Sequence, residues 1–125
     1  MNGLEVRKTQ NRGLGVFATQ NFRLGDLIEC ARVLVVPRNE ILISLSNSVM
    51  RNYVFMWGER LGVPTGYGPF YNHSYQPNAH HVKHLDLGQI EYIAIKNILA
   101  GEEITINYGG SPDCTDSMWF DVQNL

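Results

Sequence analysis

A mostly β fold with little helix is what this 125-residue chain predicts, and three observations carry it. Short runs alternate apolar and polar residues at the period of a half-buried strand, glycine-bearing turns separate them, and stretches with helical spacing are scarce. Small twisted sheets joined by irregular loops satisfy that pattern. The length suits one sizeable core, so the expectation is a single domain over residues 1–125.

Leu4-Glu5-Val6-Arg7-Lys8 alternates like a half-exposed strand, and Asn11-Arg12-Gly13-Leu14-Gly15 turns the chain into Val16-Phe17-Ala18, a hairpin-like start. After the turn Arg23-Leu24-Gly25-Asp26, the run from Leu27 to Val36 is apolar and β-branched and stops at Pro37, which makes it the strongest strand in the sequence. An N-cap at Asn39, an early Glu40 and apolar spacing through Ile41, Leu42 and Leu45 predict one short helix to about Ser46. The aromatic run Arg51 to Trp57 is compatible with a strand. Gly58 to Gly68, punctuated by glycine and Pro64, predicts a loop. His80 to Leu85 and Gln89 to Ile95 form a hairpin around Asp86-Leu87-Gly88. Lys96 to Gly101 then turns into a last strand, Glu103 to Tyr108, and the tail from Gly109 is irregular until Trp119-Phe120.

A hydrophobic fraction of 44% with 18% charged residues is that of a globular protein, not a disordered one. The net charge of −2 and the lack of a long basic run argue against direct nucleic-acid binding. No apolar run is long enough to span a bilayer and the amino terminus has no signal-peptide pattern, which predicts an intracellular, soluble protein, cytoplasmic in a bacterium. The two cysteines, Cys30 and Cys114, have no metal-type spacing, and Cys30 reads as a free, buried apolar residue. A homodimer is one way for so small and apolar a domain to complete its surface.

Two segments resist a reading as ordinary packing. Tyr71-Asn72-His73-Ser74-Tyr75-Gln76-Pro77-Asn78-Ala79 is a polar, turn-forming run in an apolar neighbourhood. Gly101-Glu102-Glu103-Ile104-Thr105-Ile106-Asn107-Tyr108-Gly109 carries an alternating strand into a tyrosine and two glycines. Polar side chains gathered in an interior must find partners, and a ligand is one kind of partner. A third group, His80, His81 and His84, suggests a metal site, but on a strand His80 and His84 stand about 13 Å apart, too far for one ion. The expectation is therefore no metal.

With Gly13-Leu14-Gly15-Val16-Phe17-Ala18 and Leu24-Gly25-Asp26-Leu27-Ile28 before them, the two segments resemble, in order, the motifs of the SET domain family of protein lysine methyltransferases. The resemblance is in particular to the minimal viral and bacterial members, which lack zinc-bound flanking regions. The resemblance runs from about Leu4 to Phe120, and Asn107 stands where an aspartate is common. It implies a β-clip arrangement of small twisted sheets in which the Asn72-His73 segment threads, knot-like, beneath a carboxy-terminal loop. It also implies S-adenosylmethionine as cofactor and a lysine-bearing protein or peptide, a histone or another protein, as substrate.

The resemblance further implies roles for named residues. Tyr108 would be catalytic, its hydroxyl lying where cofactor and lysine meet. Asn72, His73 and the backbone of Gly13, Leu14 and Gly15 would hold the cofactor together with Tyr108, and Arg12 is either a partner for its carboxylate or a solvated turn residue. Tyr53, Tyr67, Tyr71, Trp119 and Phe120 are candidates for a lysine channel, since aromatic walls pack an aliphatic stem and face an ammonium. Ile106, two residues before Tyr108, would share its strand face. It offers no hydroxyl to limit methylation to a single group. A non-catalytic module that kept the fold and binds the cofactor or a basic peptide is the alternative.

Overall fold

Alternation in Leu4–Lys8 (β1) leaves only Leu4 buried, and the strand forms the edge of a hairpin with Leu14–Ala18 (β2), from Leu4 opposite Ala18 to Lys8 opposite Leu14. In this computed structural model, which describes residues 3–37 and 55–115, the turn between them is tied by Thr9. Its N–H and its hydroxyl both donate to the Gly13 carbonyl, at 2.7 and 2.9 Å, and its hydroxyl accepts from the Arg12 N–H at 2.8 Å. Gly13 sits at φ +69°, a conformation that a side chain would strain.

Leu27–Val36 (β3) is the spine of the larger sheet. The remaining strands are Phe55–Trp57 (β4), Arg60–Pro64 (β5), Asn72–His73 (β6), Ala79–His84 (β7), Gln89–Ala94 (β8) and Glu103–Ile106 (β9). They form a five-stranded sheet in the order β4-β5-β3-β8-β7 and a four-stranded sheet in the order β1-β2-β9-β6. Val16 and Ile104 from the small sheet and Ile28, Ala31, Val33, Ile90 and Tyr92 from the large one bury into a single apolar cluster. Among the described residues there is no α-helix, only a 3-10 turn at Gly68–Phe70, and no helix is long and apolar enough to cross a membrane. The short helix expected at Asn39 to Ser46 lies outside the described residues.

Three expectations need correction. Gly58 to Gly68 is not all loop: Gly58 and Glu59 turn a tight β4–β5 hairpin, and Arg60–Pro64 pairs with β3 as well. Gly62 looks like a breaker but marks a close approach, because a Cβ there would stand 2.8 Å from Val33 Cγ1 and 3.2 Å from the Trp57 ring.

Cys30 is free but exposed, not buried. A bulge inserts Ile28 between Leu27, opposite Ile93, and Glu29, opposite Tyr92, and shifts the alternation by one residue. Ile28, Ala31 and Val33 are buried, Glu29 is turned toward buried Tyr92, and Cys30 is sent outward beside Glu91. The last strand stops at Ile106 instead of running to Tyr108, so the period of two does not connect that pair. Ile106 is 1% exposed in the core and Tyr108 is 37% exposed.

Candidate active site

β6 is only two residues long, yet it brings the two unusual segments together by pairing in parallel with β9, Asn72 beside Thr105 and His73 beside Ile106. The Ser74 N–H extends the ladder by donating to the Ile106 carbonyl at 2.9 Å. On β9, Asn78 stands in for a neighbouring strand: its Oδ1 accepts from the Thr105 N–H at 2.9 Å and its Nδ2 donates to the Glu103 carbonyl at 2.8 Å. One amide side chain thus satisfies a donor and an acceptor that would otherwise be stranded at a sheet boundary.

Around the β1–β2 turn the polar groups form a network centred on Glu103. Asn72 Nδ2 donates to Glu103 Oε2 at 2.7 Å and to the Leu14 carbonyl at 3.0 Å. Arg12 makes an ion pair with Glu103 Oε1 and lies 3.4 Å from the His73 carbonyl through Nη1, so it is not merely solvated. Both side chains of the pair are largely shielded, 19% and 14% exposed, where an ion pair is screened less than at the open surface. Gly15 is what lets the network close. A Cβ there would stand 2.5 Å from Glu103 Oε2 and 2.9 Å from Asn72 Nδ2. Gly13, Leu14, Gly15, Asn72 and His73 are therefore brought to one place.

Tyr108 lies two residues past the end of β9. Its N–H donates to His73 Nδ1 at 3.0 Å and its hydroxyl donates to the Tyr71 carbonyl at 2.5 Å, while its ring lies 5.3 Å from the His73 ring. His73 is buried, and burial lowers its pKa, which favours the neutral imidazole that can accept at Nδ1. Tyr75 packs edge-on against the same imidazole at 4.5 Å. Beyond Tyr108 the chain is held by Asn107: its Oδ1 accepts from the Gly109 N–H at 2.9 Å, and its Nδ2 donates to the carbonyls of Cys114 at 2.7 Å and Pro112 at 3.3 Å. A carboxylate can accept but cannot donate to two carbonyls, which accounts for asparagine at this position. The parallel β6–β9 pairing and this tied loop are what the structure shows of the expected threading.

Of the channel candidates, Tyr71 is 1% exposed, stacks on Tyr92 with ring centroids 4.2 Å apart and donates its hydroxyl to Glu29 Oε1 at 2.7 Å. Burial, and then the neighbouring Glu29 charge, push its pKa far above the usual tyrosine range. Tyr67 is half-buried. Its N–H donates to Glu29 Oε2 at 3.0 Å and its hydroxyl lies 3.4 Å from the Leu4 carbonyl. Glu29 itself has its pKa raised by burial, against the lowering effect of these two hydrogen bonds. Tyr53, Trp119 and Phe120 lie outside the described residues.

The three histidines lie on β7 as a strand arrangement requires. His81 is buried, with its pKa lowered to about 4 by burial and then by the charges of Lys83 and His80, and His84 Nε2 pairs with Glu91 at 2.7 Å. Among the described residues no group of three His, Cys, Asp or Glu side chains comes together in a way that suits a metal ion.

The SET domain family model matches residues 13–109, most of the chain, and takes in Gly13 to Gly15, Asn72, His73, Glu103 and Tyr108. The chain belongs to the SET domain family. A histone-lysine N-methyltransferase of Schizosaccharomyces pombe, H3 lysine-37 specific, is 31% identical over 119 residues, 94% of this chain and 77% of that protein. A variant-silencing SET domain-containing protein of Plasmodium falciparum is 30% identical over 122 residues, 84% of this chain but only 5% of that much longer protein. A crystal structure of a Plasmodium falciparum protein described as a histone methyltransferase superposes with a TM-score of 0.74 at 28% identity, covering 89% of this chain and 96% of that one. This SET domain is a protein-lysine methyltransferase, the enzyme of the two readings that the sequence left open.

Sequence reasoning missed three residues of the SET site. Glu103 was visible only as one of two acids in a signature, although its position as the first residue of the last strand is a usable signal. Asn78 sat in a signature without a role, and Glu29 sat in the strongest strand, where an acid opposite the expected core face looks solvated. Each gains its partners only when distant segments meet.

Proposed function

We propose that this SET domain, as one catalytic unit with its core at about residues 4–120, transfers methyl groups from S-adenosylmethionine to the ε-amine of a lysine in a protein, a histone tail or another protein with an exposed lysine. The observation that carries this reading is the Tyr108 hydroxyl, oriented on the Tyr71 carbonyl beside the Asn72, Glu103 and Arg12 network. The residues present fit the cofactor's amino acid end. Arg12 and Glu103 offer both signs of charge, the Asn72 amide lies between them and the turn backbone, and a Cβ at Gly13 would meet nothing within 4 Å, so the turn is open on that side. Gly13, Leu14 and Gly15 by their backbone, with Asn72 and His73, would hold it.

When bound, S-adenosylmethionine supplies an electrophilic methyl group on a sulfonium. The protein's own task is then alignment and desolvation, and it needs no nucleophile. Tyr108 donates its proton to the Tyr71 carbonyl, an orientation in which a hydroxyl oxygen can accept from the substrate nitrogen. At neutral pH roughly one free lysine in a few thousand is neutral. A site that excludes water and carries positive charge lowers the lysine pKa on two counts, so deprotonation needs no dedicated base. Ile106 pairs with His73, whose ring supports Tyr108, and brings no hydroxyl to that neighbourhood. Because Ile106 is buried in the core and does not share a strand face with Tyr108, it is the family resemblance that leads us to propose an activity that goes beyond monomethylation.

The test is binding of labelled S-adenosylmethionine followed by transfer to core histones and other lysine-rich proteins. Label arriving on lysine supports the reading. Tight cofactor binding with no transfer to any such protein counts against it.

A further inference from the structure

Glu29 is a carboxylate with no part in the proposed transfer, yet both of its oxygens are bonded to the segment that ends at Tyr71. The bulge in β3 turns it inward, opposite buried Tyr92. Its two oxygens serve two ends of one segment, Oε2 accepting from the Tyr67 N–H at 3.0 Å and Oε1 accepting from the Tyr71 hydroxyl at 2.7 Å. These bonds bracket the 3-10 turn Gly68–Phe70. The approach is shaped to admit the carboxylate, because Gly66 lies at φ +64° and a Cβ there would collide with Glu29 Oε2. The end of the bracketed segment is the Tyr71 carbonyl, the acceptor that orients the Tyr108 hydroxyl.

We propose that Glu29 is a positioning residue for methyl transfer, clamping the segment from Tyr67 to Tyr71 so that the Tyr71 carbonyl holds the Tyr108 hydroxyl in its reactive orientation. The proposal rests on the catalytic reading of Tyr108. It concerns hydrogen-bond geometry and not charge. Glutamine in place of Glu29 can still accept from the Tyr67 N–H with its carbonyl and donate to Tyr71 with its amide, since a tyrosine hydroxyl both donates and accepts.

The experiment compares Glu29→Ala, Glu29→Gln, Tyr71→Phe, the double variant Glu29→Ala with Tyr71→Phe, and Cys30→Ser as an outward-facing control on the same strand. Steady-state transfer to core histones is measured together with the ring resonances of Tyr108 in 13C-tyrosine-labelled protein, assigned with Tyr108→Phe. For Glu29→Ala and Tyr71→Phe we expect kcat to fall about tenfold or more with the KM for S-adenosylmethionine changed by less than about twofold, the signature of an interaction made in the transition state. The double variant should be no worse than Glu29→Ala, Glu29→Gln should restore the rate to within about threefold of wild type, and Cys30→Ser should match wild type. The Tyr108 resonance should move in Glu29→Ala and Tyr71→Phe and return in Glu29→Gln. An unmoved Tyr108 resonance in Glu29→Ala overturns the proposal, as does a loss that Gln does not rescue or additive losses in the double variant. If wild type itself transfers nothing to histones, the resonances still decide whether Glu29 positions Tyr108. A Tyr108→Phe variant as active as wild type would instead overturn the catalytic reading.

Discussion

Asn107 holds three backbone groups with one amide, accepting from the Gly109 N–H and donating to the carbonyls of Pro112 and Cys114. Aspartate keeps the first of these and sets a carboxylate against two carbonyl oxygens. Asn107→Asp should therefore destabilise the protein by about 1–3 kcal/mol, read from urea denaturation at neutral pH; an unchanged midpoint would show that the amide's donor side does not matter. His81 makes a second residue-scale prediction. Its folded pKa of about 4 lies below the ordinary histidine value of 6.5, so between those limits the unfolded chain takes up a proton that the folded one refuses. Stability associated with His81 is thus complete above pH 6.5 and lost as pH falls toward 4. Replacing it in His81→Gln should flatten the melting temperature over that window relative to wild type. Parallel curves for the two proteins would contradict this.

At the scale of elements, the bulge in β3 and the close approach at Gly15 decide what can meet what. Gly15 lies within β2, where its missing Cβ makes room for Glu103 and Asn72. Gly15→Ala should push that pair apart and weaken S-adenosylmethionine binding about tenfold by calorimetry, with overpacking of about 1–3 kcal/mol as the physical cause; unchanged affinity would remove this network from the cofactor site. The hairpins β1–β2 and β7–β8 and the long strand β3 were legible because alternation and turn residues are local signals. β5 was not. Gly62 and Pro64 read as punctuation, and their tolerance in a strand depends on Val33 and Trp57, which belong to other strands. The exposure of Cys30 and the inward turn of Glu29 were hidden for a related reason, since a bulge is a property of the pairing with β8 and leaves no mark in the periodicity of β3 alone.

For the whole molecule, the described strands form two sheets around one core, and the candidate site lies where β2, β6 and β9 of the smaller sheet come together. That convergence was legible only as two motifs in a fixed order, which is why the family could be named from sequence while the Arg12, Glu103 and Asn72 network could not. The proposed product is tested at the same place. With isoleucine at 106 beside His73, mass spectrometry of a prolonged reaction should find lysines carrying two or three methyl groups, and a reaction that stops at one would contradict the role given to Ile106.

The proposed function turns on Tyr108 carrying the transfer step, while most of the hold on the cofactor comes from the β1–β2 turn, Asn72 and His73, with Tyr108 only adding to it. The most direct measurement is a single-turnover methyl-transfer assay on Tyr108→Phe, with labelled S-adenosylmethionine binding measured on the same sample. Loss of a hydroxyl that orients the reacting amine should lower the rate about a hundredfold or more while the cofactor still binds within a few-fold of wild type. A phenylalanine variant that transfers methyl groups at the wild-type rate would contradict it.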